Sequence, residues 1–186
     1  MLILASASPR REQLLRMVGL DFTCITPKIE EWVPDSVRPE DIPEYLAVKK
    51  AEAVLAENPG NTVIGADTLV ELDGQVMGKP GDDRSAYYML RTLSGKTHHV
   101  YTGVALKTDT KLVSFTTVTK VEFYPLTDEE IWEYIHTGEP MDKAGSYAIQ
   151  GKGALLVKRI QGDYYTVMGL PISEVVRHLK KMQQSD

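Results

Sequence analysis

The order in which strand-like and helix-like segments follow one another constrains the fold of this chain most. Short apolar runs bounded by glycine, proline or polar residues are typical of strands, and they alternate with segments whose apolar residues recur at helical spacing. This alternation extends along the whole 186-residue chain. Because helices and strands are interleaved and not grouped in separate regions, the sequence predicts an α/β fold with a mixed sheet.

The hydrophobic content bounds the number of domains. With 42% hydrophobic residues, a chain of this length can fill one core, or one core split into two lobes around a cleft. We therefore predict a single domain over residues 1–186.

Turn residues and periodicity place the individual elements. Asp73-Gly74 suits the type I′ turn of a hairpin, and Thr127-Asp128-Glu129-Glu130 is a capping box that opens a helix. A second hairpin is predicted around Gly162-Asp163, with strands at 155–160 and 164–168. The other predicted elements are strands near 2–5, 22–25, 62–66, 99–107 and 113–124, helices from Pro9, over about 44–57, after Pro80 and over about 173–182, and a long loop at 139–153.

The first strand-to-helix corner is suited to holding an anion. Ser8 is a good N-cap residue and Pro9 suits the first helical position, so the start of the helix presents unpaired backbone N–H groups. Arg10 and Arg11 precede two leucines of the core-facing stripe by four residues, so we expect their guanidinium groups to point toward the end of the strand. The alternative is two surface arginines paired with Glu12 or other acidic residues.

Charge and composition disfavour several classes of protein. A formal net charge of −5 argues against binding nucleic acid through the overall field, so an anionic ligand needs a local cluster of cations. The sequence contains no 18-residue apolar span and no segment typical of a leader, so we expect a cytoplasmic protein without a membrane partner. Cys24 is the only cysteine, and we expect it to be a small buried residue.

Carboxylates are the main candidates for metal binding and acid–base chemistry. Asp67 follows the predicted strand 62–66, and functional groups of α/β sheets collect beyond the carboxyl ends of strands. Magnesium needs only one or two carboxylates, because water and phosphate oxygens complete its coordination, and Glu31 and Asp67 can supply them. Alternatively, Asp67 caps a turn, and Glu30 and Glu31 are solvated loop charges.

Charge balance links these carboxylates to the cations. Lys50 lies in an apolar helical stripe, where it either binds a ligand or extends its ammonium to the edge of the core. A nucleoside triphosphate carries about four negative charges, and like charges about 4 Å apart repel by roughly 4 kcal/mol at an effective dielectric constant of 20. Four cations that converge on such a ligand, Arg10, Arg11, Lys50 and Lys79, would neutralise its charge. They would not also neutralise two nearby carboxylates, so a divalent metal would then be required between the phosphates and the carboxylates.

Three other chemistries are disfavoured by the motifs. The chain has no G-x-x-x-x-G-K-[ST] motif, which excludes a P-loop NTPase. Asp67 is not followed two residues later by the second aspartate that aspartate-nucleophile phosphatases use as an acid. His98 and His99 are adjacent on a predicted strand, so they point to opposite faces and we expect structural roles and no shared metal.

Several motifs occur in a fixed order over nearly the whole chain. They are the segments 4–11, Gly65-Ala66-Asp67-Thr68, Gly78-Lys79-Pro80, Leu93-Ser94-Gly95, 139–145, Ile149-Gln150-Gly151 and 167–171. Together they resemble the Maf family of nucleotide pyrophosphatases. This family shares an elongated, two-lobed α/β fold with the inosine triphosphate pyrophosphatases, so the resemblance implies that fold, with the active site in the cleft between the lobes.

The resemblance also implies an activity, which is house-cleaning hydrolysis of nucleoside triphosphates to the monophosphate and pyrophosphate. Ser8-Pro9-Arg10-Arg11, Gly65-Ala66-Asp67-Thr68 and Tyr147-Ala148-Ile149-Gln150-Gly151 are similar to the branch that acts on dTTP and UTP. The branch that acts on 7-methyl-GTP typically has Trp in place of Arg10. The alternatives are a pyrophosphatase that prefers 7-methyl-GTP, and a nucleotide-binding regulator of septum formation with little turnover.

The same resemblance implies roles for individual residues. Asp67 would be the catalytic base and would hold a divalent cation, Mg²⁺ or Mn²⁺, together with Glu31 or the adjacent Glu30. Gln150 would read the base, although it is otherwise interpreted as a polar loop residue that caps its own turn. Phosphate would be bound by Ser8, Arg11, Lys50 and Lys79, and specificity would be set by Arg10, Thr68 and Gln150. Similar proteins often form homodimers.

Overall fold

The structure is a computed structural model that describes residues 1–184. Its strands are β1 (Leu2–Ala5), β2 (Thr23–Ile25), β3 (Thr62–Leu72), β4 (Gln75–Met77), β5 (Thr97–Lys107), β6 (Leu112–Phe123) and β7 (Val157–Gln161). Its α-helices are α1 (Pro9–Met17), α2 (Ile42–Glu57), α3 (Asp83–Leu93), α4 (Asp128–Ile135), α5 (Tyr164–Met168) and α6 (Ile172–Gln184). Within these residues, no helix combines the length and hydrophobicity needed to cross a bilayer.

The strands form one mixed sheet in the order β2-β1-β3-β5-β6-β7, with β4 paired to β3. β1 runs parallel to both β2 and β3, whereas β4 and β7 run antiparallel to their neighbours. The predicted α/β class with a mixed sheet is confirmed. The chain divides into two compact units, and long strands contribute residues to both.

The first unit comprises Met1–Asp67, Thr102–Thr117 and the residues from Gly169 onward. Its core is formed by small and β-branched side chains of β1, β3, β5 and α2, among them Ile3, Ala47 and Val63. A Cβ at Gly65 would collide with the backbone carbonyl of Ala47, so β3 and α2 approach each other more closely than a larger residue permits. This close packing fixes α2 against the strand that carries Asp67.

The second unit comprises Thr68–Tyr101 and Val118–Met168. Capping boxes at Asp82 and Thr127 open α3 and α4, as predicted for Thr127. The segment predicted as a long loop contains 3₁₀ turns at Glu139–Asp142, Ala144–Ser146 and Lys152–Leu156. This segment is therefore more ordered than the sequence indicates.

Three sequence expectations are wrong. Residues 164–168 form helix α5 and not a strand, because the Asp163 carboxylate accepts hydrogen bonds from the N–H and hydroxyl of Thr166 and thereby nucleates a helical turn. β3 continues without a break to Leu72, so Asp67 lies in the middle of a strand and not beyond its end. Cys24 is exposed, because the short β2 is an edge strand of the sheet.

Candidate active site

The corner between β1 and α1 is organised by the buried hydroxyl of Ser6. Its Oγ accepts hydrogen bonds from the N–H of Ser8 at 3.1 Å and from Nη1 of Arg11 at 3.3 Å. Ser8 stands at the N-cap position before Pro9, but its side chain makes no capping hydrogen bond, contrary to expectation. The hydroxyl of Ser6 thus holds this corner in place. The sequence did not indicate this role, and the burial of Ser6 is the feature that identifies it.

Arg11 is anchored within the first unit. Its Nε donates to the carbonyl oxygen of Gly169 at 2.7 Å, in addition to the contact with Ser6. Burial lowers the pKa of its guanidinium below the usual value, and the carboxylates of Asp67 and Glu31 oppose part of that change. Arg10 is half-buried and lowers the pKa of Arg11 further by like-charge repulsion. Arg11 therefore lies near the two candidate carboxylates, with the charge of Arg10 close to it.

Lys50 joins those two carboxylates. Its side chain is 9% exposed and its Nζ lies 2.6 Å from Oδ1 of Asp67 and 2.7 Å from Oε1 of Glu31. The ammonium is therefore not extended to solvent at the edge of the core, which was one interpretation of its place in an apolar stripe. Because both oxygens contact one nitrogen, the carboxylates of Asp67 and Glu31 lie close together.

Asp67 is largely buried and paired with a cation. Its side chain is 16% exposed, and burial raises its pKa above the usual range for aspartate, while Lys50 and Arg11 offset part of that rise. A carboxylate with a raised pKa is a stronger base. The ion pair with Lys50 also fixes the direction of one carboxylate oxygen.

The loop that carries Glu31 is held by the lysine next to Lys50. Nζ of Lys49 donates to the carbonyl oxygens of Glu30 at 3.1 Å and Trp32 at 3.2 Å, one on each side of Glu31. Consecutive lysines of α2 thus bind the backbone of the loop and the side chain of Glu31. Sequence reasoning missed Lys49, although the adjacent pair Lys49-Lys50 following a proline-rich loop was a visible signal.

The donor set fits a hard divalent cation that takes its other ligands from phosphate and water. Among residues 1–184, no group of three or more His, Cys, Asp or Glu side chains is arranged to hold a metal ion. The pair Glu31 and Asp67 supplies two carboxylates, and their shared contact with the Lys50 ammonium shows that this position is suited to positive charge. Magnesium and manganese accept one or two carboxylates when phosphate and water complete the coordination.

The remaining predicted site residues belong to the second unit. Thr68 follows Asp67 on β3 and is half-buried, whereas Lys79 and Gln150 are exposed. The carbonyl of Gly78, next to Lys79, accepts a hydrogen bond from the N–H of Gly145 at 3.1 Å. The structure thus groups Ser8, Arg10, Arg11, Glu31, Lys50 and Asp67 in one unit, and Thr68, Lys79 and Gln150 in the other.

The two expected structural histidines differ in environment, as strand alternation predicts. His98 is fully buried, and its Nε2 lies 2.7 Å from Oη of Tyr147. His99 is partly exposed, and its Nδ1 lies 3.2 Å from Oε2 of Glu71. Neither histidine belongs to a metal-binding group within the described part of the chain.

Comparison with known proteins places this chain in a family. A model of the family described as Maf-like protein matches residues 1–182. Proteins named dTTP/UTP pyrophosphatase from Bacillus velezensis and Bacillus cereus are each 51% identical over 180 residues; the alignments cover 97% of this chain and 95% and 94% of those proteins. A solved HAM1 protein from Coxiella burnetii shares the fold, with a TM-score of 0.54, 15% identity and coverage of 97% of this chain and 98% of that chain. The chain belongs to the Maf-like protein family.

Proposed function

We propose that this protein is a nucleoside triphosphate pyrophosphatase that hydrolyses dTTP and UTP, and modified pyrimidine nucleotides of the same shape, to the monophosphate and pyrophosphate. The observation that carries the proposal is the cluster of Asp67, Lys50 and Glu31 beside Arg11. Relatives 51% identical over 97% of the chain bear the name dTTP/UTP pyrophosphatase, which supports the substrate assignment.

Asp67 is the proposed base in an attack of water on the α-phosphorus. Burial strengthens it as a base, and its contact with Lys50 holds one oxygen so that the other is available to orient and deprotonate the water. The P–O bond to the β-phosphate breaks, and pyrophosphate leaves. Arg11 and Lys50 stabilise the charge that develops on the phosphate oxygens, and no covalent intermediate with the protein forms.

Glu31 and Asp67 would hold the divalent cation, Mg²⁺ or Mn²⁺. Such an ion withdraws electron density from the phosphates and offsets their negative charge. We propose Glu31 as the ligand in preference to Glu30, because the carboxylate of Glu31 contacts Lys50 whereas the Glu30 carbonyl contacts Lys49.

The family resemblance supports substrate contacts for the other predicted residues. Gln150 can accept a hydrogen bond from N3–H of uracil or thymine and donate one to a ring carbonyl. Turned over, the same amide also matches cytosine, so neighbouring backbone groups must fix its orientation. Phosphate contacts are assigned to Ser8, Arg11, Lys50 and Lys79, and selectivity to Arg10, Thr68 and Gln150.

Product analysis tests this proposal. A UTP reaction with Mg²⁺ or Mn²⁺ should produce UMP and pyrophosphate in equal amounts, and a chelator should abolish it. Release of UDP and orthophosphate would overturn the pyrophosphatase assignment in favour of a γ-phosphatase. Faster turnover of 7-methyl-GTP than of UTP and dTTP would overturn the substrate assignment, and binding without useful turnover would point to a nucleotide-sensing regulator.

Base reading is tested separately by Gln150→Leu. We expect kcat/KM for UTP and dTTP to fall about 10- to 100-fold, the order of one or two buried hydrogen bonds, with a much smaller change for purine triphosphates. Equal losses for pyrimidines and purines would contradict the role in base selection.

Three further expectations, two from the composition and one from the family resemblance, stay predictions. They are a cytoplasmic location, a homodimer, and the absence of nucleic-acid and membrane partners. Sedimentation of the purified protein measures the oligomeric state directly.

A further inference from the structure

The segment around Gln150 is held from both sides by two residues that have no assigned role. We propose that Glu139 and Tyr134 are positioning residues that fix the 148–153 segment, and with it the orientation of Gln150, for pyrimidine selection. This inference rests on the proposed function, because it concerns how the same substrate base is read. The residues involved all belong to the second unit.

Glu139 binds the segment after Gln150. Its Oε1 accepts the N–H of Lys152 at 3.0 Å, and its Oε2 accepts the N–H of Gly153 at 3.0 Å. These two donors lie at the start of a 3₁₀ turn, where backbone N–H groups have no partner within the turn. Burial alone would raise the pKa of Glu139, but hydrogen bonds from Tyr134, Gly153 and Lys152 outweigh it, so the pKa lies below the usual value for glutamate.

Tyr134 binds the segment before Gln150. Its Oη accepts the N–H of Ala148 at 2.9 Å and also hydrogen-bonds the Glu139 carboxylate. The phenol lies on α4 and is buried, so its position is fixed by the core of the unit. The segment is therefore attached to one connected pair of side chains on both sides of Gln150.

The glycines of the segment fit this arrangement closely. A Cβ at Gly151 would collide with Oε1 of Glu139, so the residue directly after Gln150 must be small for the carboxylate to reach the backbone. A Cβ at Gly153 would collide with the backbone carbonyl oxygen of Ala148 and would also lie 2.8 Å from Oη of Tyr134. The position of the Glu139 carboxylate thus requires glycine at 151, whereas glycine at 153 is required first by the backbone of Ala148.

The backbone of Glu139 is itself restrained. Nζ of Lys143 donates to its carbonyl oxygen at 2.7 Å, and its N–H donates to Oγ1 of Thr137 at 3.1 Å. The carboxylate therefore starts from a fixed point and not from a mobile loop.

This ordering serves an exposed residue. Gln150 is itself exposed, so the hydrogen bonds around it do not serve to bury that side chain. A turn that is ordered before the ligand arrives lowers the entropy cost of binding and holds an amide in one of its two orientations. That orientation distinguishes uracil and thymine from cytosine, which the Gln150 amide alone does not.

The test is a double-mutant cycle on the purified protein with Mg²⁺. The single variants are Glu139→Gln, Tyr134→Phe and Gln150→Leu. The two double variants combine Gln150→Leu with Glu139→Gln or with Tyr134→Phe. Glu139→Gln keeps the shape but turns one acceptor into a donor that faces a backbone N–H. Glu122→Gln is the matched control, since Glu122 lies on β6 in the same unit and pairs with Lys158 and Arg159.

We expect Glu139→Gln and Tyr134→Phe each to lower kcat/KM for UTP and dTTP about 10-fold, with purine triphosphates changed less than twofold. In the Glu139→Gln and Tyr134→Phe backgrounds, Gln150→Leu should cost much less than it does alone. Hydrogen exchange gives a readout independent of activity: the amides of Lys152 and Gly153 should exchange faster in Glu139→Gln than in Glu122→Gln.

Failures of the two proposals are distinguishable. If the unmodified protein releases no pyrophosphate from UTP, the proposed function is refuted. If Gln150→Leu leaves the preference for pyrimidines intact, the role of Gln150 in base selection is refuted. Either result also removes the basis for the positioning role of Glu139 and Tyr134. If Gln150→Leu is selective but Glu139→Gln and Tyr134→Phe reduce all substrates equally, or if the effects are additive, the positioning role alone is overturned.

Discussion

The buried imidazole of His98 should make the stability of the fold depend on pH. His98 is fully buried, its Nε2 contacts Oη of Tyr147 at 2.7 Å, and its Nδ1 has no hydrogen-bond partner among the described residues. The ring also packs edge-on against Phe123 and Tyr147, with ring centroids 5.0 Å and 5.4 Å away. A proton added at Nδ1 would meet no hydrogen-bond acceptor among the described residues.

The size of the effect follows from the pKa of His98. Burial lowers that pKa from 6.5 to about 3, and the neighbouring His99 contributes in the same direction. In the unfolded chain His98 takes up a proton below pH 6.5, whereas in the folded protein it stays neutral until about pH 3. The free energy of unfolding should therefore fall as the pH falls, by roughly 1.4 kcal/mol per pH unit below 6.5 and by about 2 kcal/mol between pH 8 and pH 5.

Urea denaturation at a series of pH values measures this contribution. His98→Gln keeps a polar group near Tyr147 but does not titrate, so the difference in unfolding free energy between the two proteins should shrink or reverse as the pH falls from 8 to 5. His136→Gln is the matched control, since His136 is exposed, and it should keep the pH dependence of the unmodified protein. If His98→Gln and the unmodified protein lose stability in parallel, His98 is protonated in the folded state and the reasoning is refuted.

Two further substitutions test the site and the packing beneath it. Asp67→Asn keeps the shape of the side chain but removes its basicity, so turnover of dTTP should fall by at least about 10²-fold while binding persists. The rate is measured by pyrophosphate release. A near-normal rate would instead favour Glu31 as the base. Gly65→Ala places a methyl group against the carbonyl of Ala47 and should lower the free energy of unfolding by about 1–3 kcal/mol. In the control variant Gly81→Ala the added methyl group meets no atom within 4 Å, so the free energy of unfolding should change little. Equal denaturation midpoints for the two variants would show that α2 shifts without cost.

The features that sequence reasoning predicted correctly depend on residues close together in the chain. The capping box at Thr127 and the hairpin at Asp73-Gly74 are local, and the structure has both, with positive φ at Asp73 and Gly74. The interleaving of helices and strands likewise sufficed for the mixed α/β class. In such cases the hydrogen-bond partners lie within a few positions, so their spacing in the sequence is also their spacing in space.

Two predictions failed, one because of pairing in the sheet and one because of a local cap that the strand prediction overlooked. Asp67 follows a glycine and an alanine, which indicates a strand end, yet pairing in the sheet carries β3 on to Leu72. Residues 164–168 have the composition of a strand, but Asp163 caps them into a helix.

The sequence by itself determined the fold class, most of the elements and the residue types available for phosphate and metal chemistry. Only the tertiary structure decided which of them meet: Arg11 binds the carbonyl of Gly169, 158 residues away, and Lys50 binds Asp67 17 residues further along the chain. The same holds for Glu139 and the backbone N–H of Gly153. The physical reason is that an ion pair or hydrogen bond requires two groups within about 3 Å, and for residues far apart in the chain that distance is set by the packing of the whole unit and not by any local preference.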